Sequence, residues 1–210
     1  MTLVSDGLRR QIWITKGCRF NAHARLLAIS SASNTSITFL SFYVVLLSLA
    51  SLVYGNDIPY FINTSISFLS VAISIFIIIL TLMESAKNTS VNAERMHKCG
   101  IELLSLYNEY NNYIAGVRNK DTDTQYIRQY NMIIARYPEN HDEVDFIGFQ
   151  ISHPDDFSIG ATSLNKLKWK HKVKYAKFFF TYTIITALPL ILAIISATVY
   201  TRVPMPTLIR

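Results

Sequence analysis

Residues 58–83 read IPYFINTSISFLSVAISIFIIILTLM and contain no charged side chain. Two more uncharged stretches, residues 26–56 and 178–201, lie before and after it. A helix of about 20 apolar residues crosses a bilayer core of roughly 30 Å, so all three are long enough. In hydrocarbon only helices and closed barrels satisfy their own backbone hydrogen bonds, and a continuous apolar run is typical of a helix. The sequence therefore predicts an all-α integral membrane protein.

The predicted architecture is a transmembrane helical hairpin plus a third C-terminal span, with cytoplasmic helices between. Lys and Arg are concentrated in the N-terminal arm and the central region, whereas the turn at residues 54–59 has none. Because these residues mark the cytoplasmic side, we expect the N-terminus inside and the C-terminus outside. The predicted parts are a basic cytoplasmic amphipathic arm at 1–33, the hairpin at 34–83 with spans at about 36–55 and 59–83, a cytoplasmic helical region at 84–177, the third span at 178–201 and an extracytoplasmic tail at 202–210.

The net charge of +6 has two interpretations. The lysines before the third span are interleaved with aromatic residues, as in some nucleic-acid-binding surfaces. Lysines and aromatics beside a span are, however, the usual anchor at anionic lipid headgroups. We therefore expect contact with the lipid bilayer and no direct nucleic-acid binding. The residues assigned to the membrane surface are Arg9, Lys16, Arg19, Arg25, Lys168, Lys170, Lys172 and Lys174.

The polar segments are predicted to be mostly helical. In the arm, Trp13, Phe20 and Leu27 mark an apolar line with Cys18 on the far side, and the helix either lies on the membrane surface or packs against another helix. The second span is expected to continue into the central region. Thr122 and Gln125 predict a capping box for the next helix. Residues 139–164 read as a structured loop that returns the chain to the third span.

Five polar residues of the second span share one helical face. At 100° per residue they lie within about 60° of one another. Small hydroxyl residues allow membrane helices to approach closely, which favours a helix–helix interface. A line of uncharged polar groups also suits the lining of an oligomeric pore. Both interpretations stay open, because a helix–helix interface that opens becomes the lining of a pore. The residues are Asn63, Ser67, Ser70, Ser74 and Thr81.

Two classes of function are disfavoured. No Asp, Glu, Lys, Arg or His lies within a span, although ion-coupled transporters usually need such a residue there. The densest polar cluster, residues 139–145, matches no zinc spacing and no nucleophile–base set, so a tethered hydrolase using His141 and Asp145 is the weaker interpretation. We expect no enzyme activity, no metal and no cofactor. Asn140, His141 and Asp145 are expected to form a structural polar cluster, in which acids cap helix ends and pair with Arg128, Arg136 or the arm.

Four segments in this order resemble the SLATT family of prokaryotic membrane proteins. They are the basic arm Thr15–Leu26, the tight hairpin, the post-span helix Asn92–Leu103, and Tyr137–His141 followed by Asp145 and Phe146. The resemblance covers most of residues 15–150. The general family pattern has two spans, so the third is either a departure from it or a trait of a subfamily.

The resemblance implies a function that composition and spacing do not. Such proteins are similar to oligomeric pore-forming effectors of bacterial antiviral defence, which act in abortive infection from the inner membrane. Their implied partners are further copies of the same chain and a nearby-encoded sensor, either a nucleotide second-messenger synthase or a reverse transcriptase. The alternative is a non-conducting membrane anchor that recruits a soluble defence partner.

Overall fold

A computed structural model describes the backbone of residues 2–116 and 119–202, and the side chains of residues 7–116, 119–187, 189 and 191. Within these ranges the regular secondary structure is entirely helical. The helices are α1 (Thr2–Tyr54), α2 (Tyr60–Lys87), α3 (Thr89–Ile114), α4 (Lys120–Arg136), α5 (Glu143–Ser152) and α6 (Ala161–Arg202).

The chain divides into two compact units. Unit 1 combines Met1–Ser30 with Asn88–Lys177, and unit 2 combines Ser31–Lys87 with Phe178–Arg210. Helices α1 and α6 therefore contribute residues to both units. The two units correspond to the polar and the apolar parts of the sequence, so the hydrophobic pattern locates the division to within a few residues.

Unit 1 has its own core. Apolar residues on α3 recur at steps of three and four, which places them on one helical face. That face packs against the arm and α4. The buried cluster consists of Leu8, Ile12, Cys99, Leu103, Leu106, Tyr110, Tyr130 and Ile133. The arm therefore packs against other helices, which is one of the two alternatives that its sequence left open.

The buried face of the arm differs from the predicted one. Cys18, expected on the far side, is fully buried, whereas Leu27 is 50% exposed. Arg19 and Arg25 are also buried. A prediction from the hydrophobic pattern places charged residues on the outside of a helix. Arg19 and Arg25 are nevertheless buried, because both have partners inside unit 1. The predicted buried face is therefore rotated away from these two arginines.

Three local predictions need correction. The second span does not continue as one helix, because Asn88 adopts the left-handed conformation (φ 49°) between α2 and α3. Asn tolerates this conformation better than most residues. Helix α4 begins at Lys120 and is capped by Asn119, whose side chain accepts from the Asp121 amide at 3.1 Å, rather than by Thr122. The predicted loop at residues 139–164 contains α5, which is too short for its periodicity to be recognised.

Two helical runs are long and apolar enough to cross a membrane: Gly7–Tyr54, and Tyr60–Ile114, which comprises α2 and α3 with Asn88 between them. In the most apolar window of each, only 11% and 6% of the residues are buried. The core helix of a soluble protein is covered by its own chain, and these windows are not. The backbone of α6 is helical through the predicted third span, including Pro189. Half of the side chains of that span, and residues 203–210 of the predicted tail, lie outside the described residues.

Candidate functional site

The N-terminus of α5 is a cluster of acidic side chains held by a local motif. Asp142 is the N-cap residue, and Asp145 reaches back to accept from the Asp142 amide at 2.9 Å. This reciprocal capping box satisfies two amide groups that a helix start leaves unpaired. It also fixes Asp142 and Asp145 relative to each other, with Glu143 between them on the first turn.

Asp145 pairs with Arg25 of α1. The Arg25 Nε donates to Asp145 Oδ1 and its Nη2 donates to Oδ2, both at 2.9 Å. Both side chains are almost fully buried, and Asp142 adds a contact to Arg25 at 2.7 Å from a more exposed position. Burial alone lowers the pKa of Arg25, but the hydrogen bond and the negative charge of Asp145 outweigh it and the pKa lies above its usual value. Removing one partner of such a buried pair typically destabilises a protein by about 3–5 kcal/mol.

Glu143 pairs with lysines of α6 rather than with α1. Its Oε1 accepts from Lys170 Nζ at 2.7 Å, and its Oε2 accepts from Lys174 Nζ. Hydrogen bonds from these two ammonium groups lower the pKa of Glu143 to about 2. The Glu143 side chain is 56% exposed, however, so water and salt screen both of its ion pairs. The ion pairs between α5 and α6 are therefore much weaker than the buried pair between α5 and α1.

Close packing reinforces the α1 side. The backbone of α1 approaches α5 so closely at Gly17 that an added Cβ would lie 2.0 Å from Phe149 Cε2. Trp13 packs edge-on against the same ring, with the centroids 4.7 Å apart. Asn21 Nδ2 donates to the Asp145 carbonyl at 2.9 Å. Helix α5 is thus fixed to α1 along its length and not only through the ion pair.

Arg19 is a buried guanidinium with incomplete hydrogen bonding. Its Nη1 donates to the Glu139 carbonyl and lies 3.1 Å from Met96 Sδ. Its Nε, the Nδ1 of His141 and the Oε2 of Glu139 have no hydrogen-bond partner among the described residues. Burial, and then the positive charge of Arg19, hold the pKa of His141 below its usual value. These groups make the loop before α5 the least satisfied polar region of unit 1 that the structure describes.

The thiols of unit 1 are poor nucleophiles. Cys18 and Cys99 are both free and buried. Burial raises the pKa of Cys18 to about 12, and burial also raises the pKa of Cys99. Because the thiolate is the reactive form, both side chains act as small apolar core residues.

The residues predicted at the membrane surface take several different positions. Arg19 and Arg25 are buried in unit 1, which differs from the prediction. Arg9 is exposed, and Lys16 lies over the Tyr107 ring with Nζ 4.7 Å from its centroid. Of the lysines on α6, Lys170 and Lys174 pair with Glu143. Lys168 and Lys172 are exposed.

The predicted polar cluster at residues 140–145 is brought together in part. Asn140 makes a local bond, accepting from the His141 amide at 2.9 Å, while its side chain stays exposed. His141 is half-buried beside Arg19, and Asp145 pairs with Arg25. The sequence analysis expected the acids to cap helix ends and to pair with Arg128, Arg136 or the arm. Asp142 and Asp145 form the capping box of α5 and contact Arg25 of the arm, whereas Arg136 pairs with Glu102.

The polar face of α2 in unit 2 divides between two environments. Asn63 accepts from Ser51 of α1 at 2.5 Å, and the hydroxyl groups of Ser70 and Ser48 are 3.3 Å apart. Ser67 and Thr81 are exposed, and Ser74 is half-buried. The hydroxyl groups of these three residues bond to backbone carbonyl groups four residues earlier in α2, at 3.1, 2.8 and 2.9 Å respectively. The face therefore lies at the edge of a helix–helix contact, with some members inside it and some outside.

A second polar contact in unit 2 was missed by the sequence analysis. Thr186 of α6 donates to the Ser36 hydroxyl at 2.9 Å, and Ser36 also reaches the Tyr182 carbonyl at 3.3 Å. The signal was present, since Ser33 and Ser36 lie on α1 at the three- and four-residue spacing of its buried side.

Comparison with known proteins identifies the family. The model of the SMODS and SLOG-associating 2TM effector domain family 5 matches residues 5–198. The chain belongs to this SLATT family. The match confirms the resemblance seen in the four sequence segments. No curated protein and no solved structure matches the chain.

The extent of the SLATT match bears on the third predicted span. The family description names two transmembrane segments, yet the matched range includes α6 as far as residue 198. That part of α6 is therefore within the SLATT domain rather than an addition to it. Together, the SLATT membership and the two long apolar runs indicate a membrane protein, and the family description indicates an effector.

Proposed function

We propose that the protein is an oligomeric pore-forming membrane effector of a bacterial antiviral defence system, opened by a cytoplasmic signal or partner, which acts by abortive infection. The observation that carries the proposal is the surface of α2. Large apolar side chains such as Phe68 are exposed on it, and the hydroxyl groups of Ser67 and Thr81 are exposed on another side. The apolar side of α2 suits contact with lipid. The side with the hydroxyl groups suits contact with a neighbouring copy of the chain or with a water-filled pore lumen.

The character of the pore follows from the chemistry of that face. The described part of α2 offers hydroxyl and amide groups and has no ionisable side chain between Tyr60 and Met83 apart from Tyr60 itself. Selective channels use rings of carbonyl groups or charged side chains. A lining of hydroxyl groups gives poor ion selectivity, and such a pore dissipates the membrane potential rather than transporting one ion.

The setting and partners belong to the same proposal. The protein lies in the bacterial inner membrane with its N-terminus in the cytoplasm, which puts unit 1 on the side where a sensor acts. Its partners are further copies of the chain and a nearby-encoded sensor. No enzyme activity is needed for this function, because opening the membrane is sufficient to stop growth of an infected cell.

A non-conducting membrane anchor is the second candidate, and one observation favours it. Asn63 and Ser70 already bond to Ser51 and Ser48 within the same chain. If the whole polar face serves only to hold α1 against α2, then the hairpin is an anchor and unit 1 is the functional part, recruiting a soluble partner.

The deciding experiment records membrane potential and propidium entry in bacteria that express the chain, with and without its genomic neighbours. Rapid depolarisation after the neighbours are activated supports the pore. Unchanged potential in cells where the protein is inserted in the membrane and the neighbours are active supports the anchor. A matched pair of α2 variants, described in the Discussion, then tests which residues line the pore.

A further inference from the structure

We infer that α5 is a clamp within unit 1 with a permanent side on α1 and a releasable side on α6. Its first turn carries the acids of both contacts. Asp145 faces α1 and pairs with Arg25, whereas Glu143 faces α6 and pairs with Lys170 and Lys174. Neighbouring residues of one short helix therefore hold two long helices together.

The α1 side is built to stay closed. The Arg25–Asp145 pair is buried and bidentate, and Asn21 adds a hydrogen bond to the Asp145 carbonyl. Gly17 allows α1 to contact the Phe149 ring directly. Opening this side would expose an aromatic surface and leave two desolvated charges without partners, which is strongly unfavourable.

The α6 side is built to open. The side chains of Glu143 and Lys170 are more than half exposed, and that of Lys174 is 35% exposed. Water and salt screen such pairs, and each is individually weak. Helix α6 also places His171 beside Gly148 of α5, where an added Cβ would lie 3.1 Å from the ring Nε2. Breaking the ion pairs leaves charges that water can solvate at once, so these pairs can break and reform without disturbing the core of unit 1.

The difference between the two sides of α5 determines which long helix can be released. Helices α1 and α6 each contribute residues to both units. When Glu143 releases its lysines, α6 is held less tightly while α1 and α5 remain one body. If the proposed pore is correct, on which this step rests, then release of α6 is the change in unit 1 that accompanies opening.

Hydrogen exchange on the full-length protein in lipid nanodiscs tests the clamp directly. Glu143→Gln removes the charge that holds both lysines. We expect exchange in residues 161–177 to rise about two- to tenfold, as loss of two exposed pairs predicts, while residues 19–29 keep the wild-type rate. The matched control is Glu94→Gln, because Glu94 forms an exposed pair with Lys98 inside one helix and connects no second helix.

A charge exchange provides the second variant. Glu143→Lys should raise exchange in residues 161–177 further, and combining it with Lys170→Glu and Lys174→Glu should restore the wild-type rate. The inference is overturned if Glu143→Gln leaves residues 161–177 unchanged, or if residues 19–29 become equally exposed, since α5 would then not have one fixed and one releasable side.

Membrane potential separates the clamp from the proposed function. If Glu143→Gln depolarises cells that lack the genomic neighbours and Glu94→Gln does not, the result supports a clamp that restrains opening of the pore. If the wild type depolarises cells on activation and Glu143→Gln shows raised exchange but no altered depolarisation, the link between clamp and opening is overturned. If the wild type never depolarises cells, the proposed pore fails, and the exchange rates still decide whether the clamp exists.

Discussion

Arg25 and Asp145 are 120 residues apart in the sequence, yet their side chains form two parallel hydrogen bonds of 2.9 Å. The pair joins the first helix to the fifth inside unit 1, at a position that water does not reach. Because a bidentate contact restricts both distance and angle, it fixes α5 against α1 in one arrangement. The stability of unit 1 therefore depends on this pair more than on the exposed ion pairs around it.

Replacing Asp145 by Asn should show this dependence. Asp145→Asn leaves the buried guanidinium of Arg25 without its main anion, and we expect the free energy of unfolding to fall by about 3–5 kcal/mol. Asp142→Asn is the control, because Asn remains a good N-cap and Asp142 is 59% exposed, so that its loss should be below about 1 kcal/mol. Urea unfolding in detergent, followed by circular dichroism, measures both. Equal losses in the two variants would contradict the assigned importance of Asp145.

Gly17 should not accept even one methyl group. In Gly17→Ala the new Cβ would overlap the Phe149 ring, so α1 and α5 must separate, and we expect a loss of about 1–3 kcal/mol. Gly7→Ala in the same helix has no atom within 4 Å of the added Cβ and should be neutral or stabilising by up to about 1 kcal/mol. Thermal unfolding compares the two. Partial recovery of Gly17→Ala by Phe149→Leu would assign the loss to this contact, and no recovery would argue against it.

The stability of unit 1 should fall on mild acidification through His141. Burial and the charge of Arg19 lower the pKa of His141 from 6.5, so the unfolded chain binds a proton there more readily than the folded one. The contribution of the neutral ring is therefore fully present above the unfolded pKa and is lost as the pH falls through the folded pKa. Unfolding free energies measured at about pH 7.5 and about pH 5.5 should differ less in His141→Gln than in the wild type. An unchanged difference would show that His141 is not responsible.

A pair of serines on α2 tests the lining of the proposed pore. Ser67 and Ser65 are both exposed, and the hydroxyl group of each bonds to the carbonyl group four residues earlier. They point about 160° apart on the helix, and only Ser67 belongs to the polar face. We expect Ser67→Leu to abolish depolarisation while membrane insertion persists, and Ser65→Leu to behave as wild type. Depolarisation recordings decide the matter, and equal activity of the two variants would remove Ser67 from the lining.

Much of the fold can be predicted from local pattern. Uncharged runs locate the apolar helices, and the steps of three and four on α3 locate its buried face. The short helix α5 could not be recognised in this way, because ten residues contain too few turns to show a period. Its capping box, Asp142 with Asp145, was the available signal, and a search for Ser or Thr at the first position overlooks it.

The buried arginines show a different limit of sequence reasoning. Arg19 and Arg25 read as surface charges, since Arg is seldom fully buried unless it is paired. Their partners lie at residues 139 and 142–145, and no local rule connects positions so far apart. In unit 2 the same limit applies to hydroxyl groups. Periodicity identifies the polar face of α2, but whether Ser70 faces another helix and Ser67 faces outward depends on where α1 packs.

The separation of Arg25 from Asp145 also sets an order of events during synthesis. Chains emerge at roughly 5–20 residues per second, so a partner 120 residues later follows after about 6–24 s. Throughout that interval Asp145 has not yet been made, and the positive charge of Arg25 lies next to the first apolar stretch, where basic residues bias which side of a membrane helix stays inside. The same guanidinium can thus influence the orientation of the hairpin first and enter the core of unit 1 afterwards. A charge that is hidden in the finished protein is exposed at the moment when its position relative to the membrane matters.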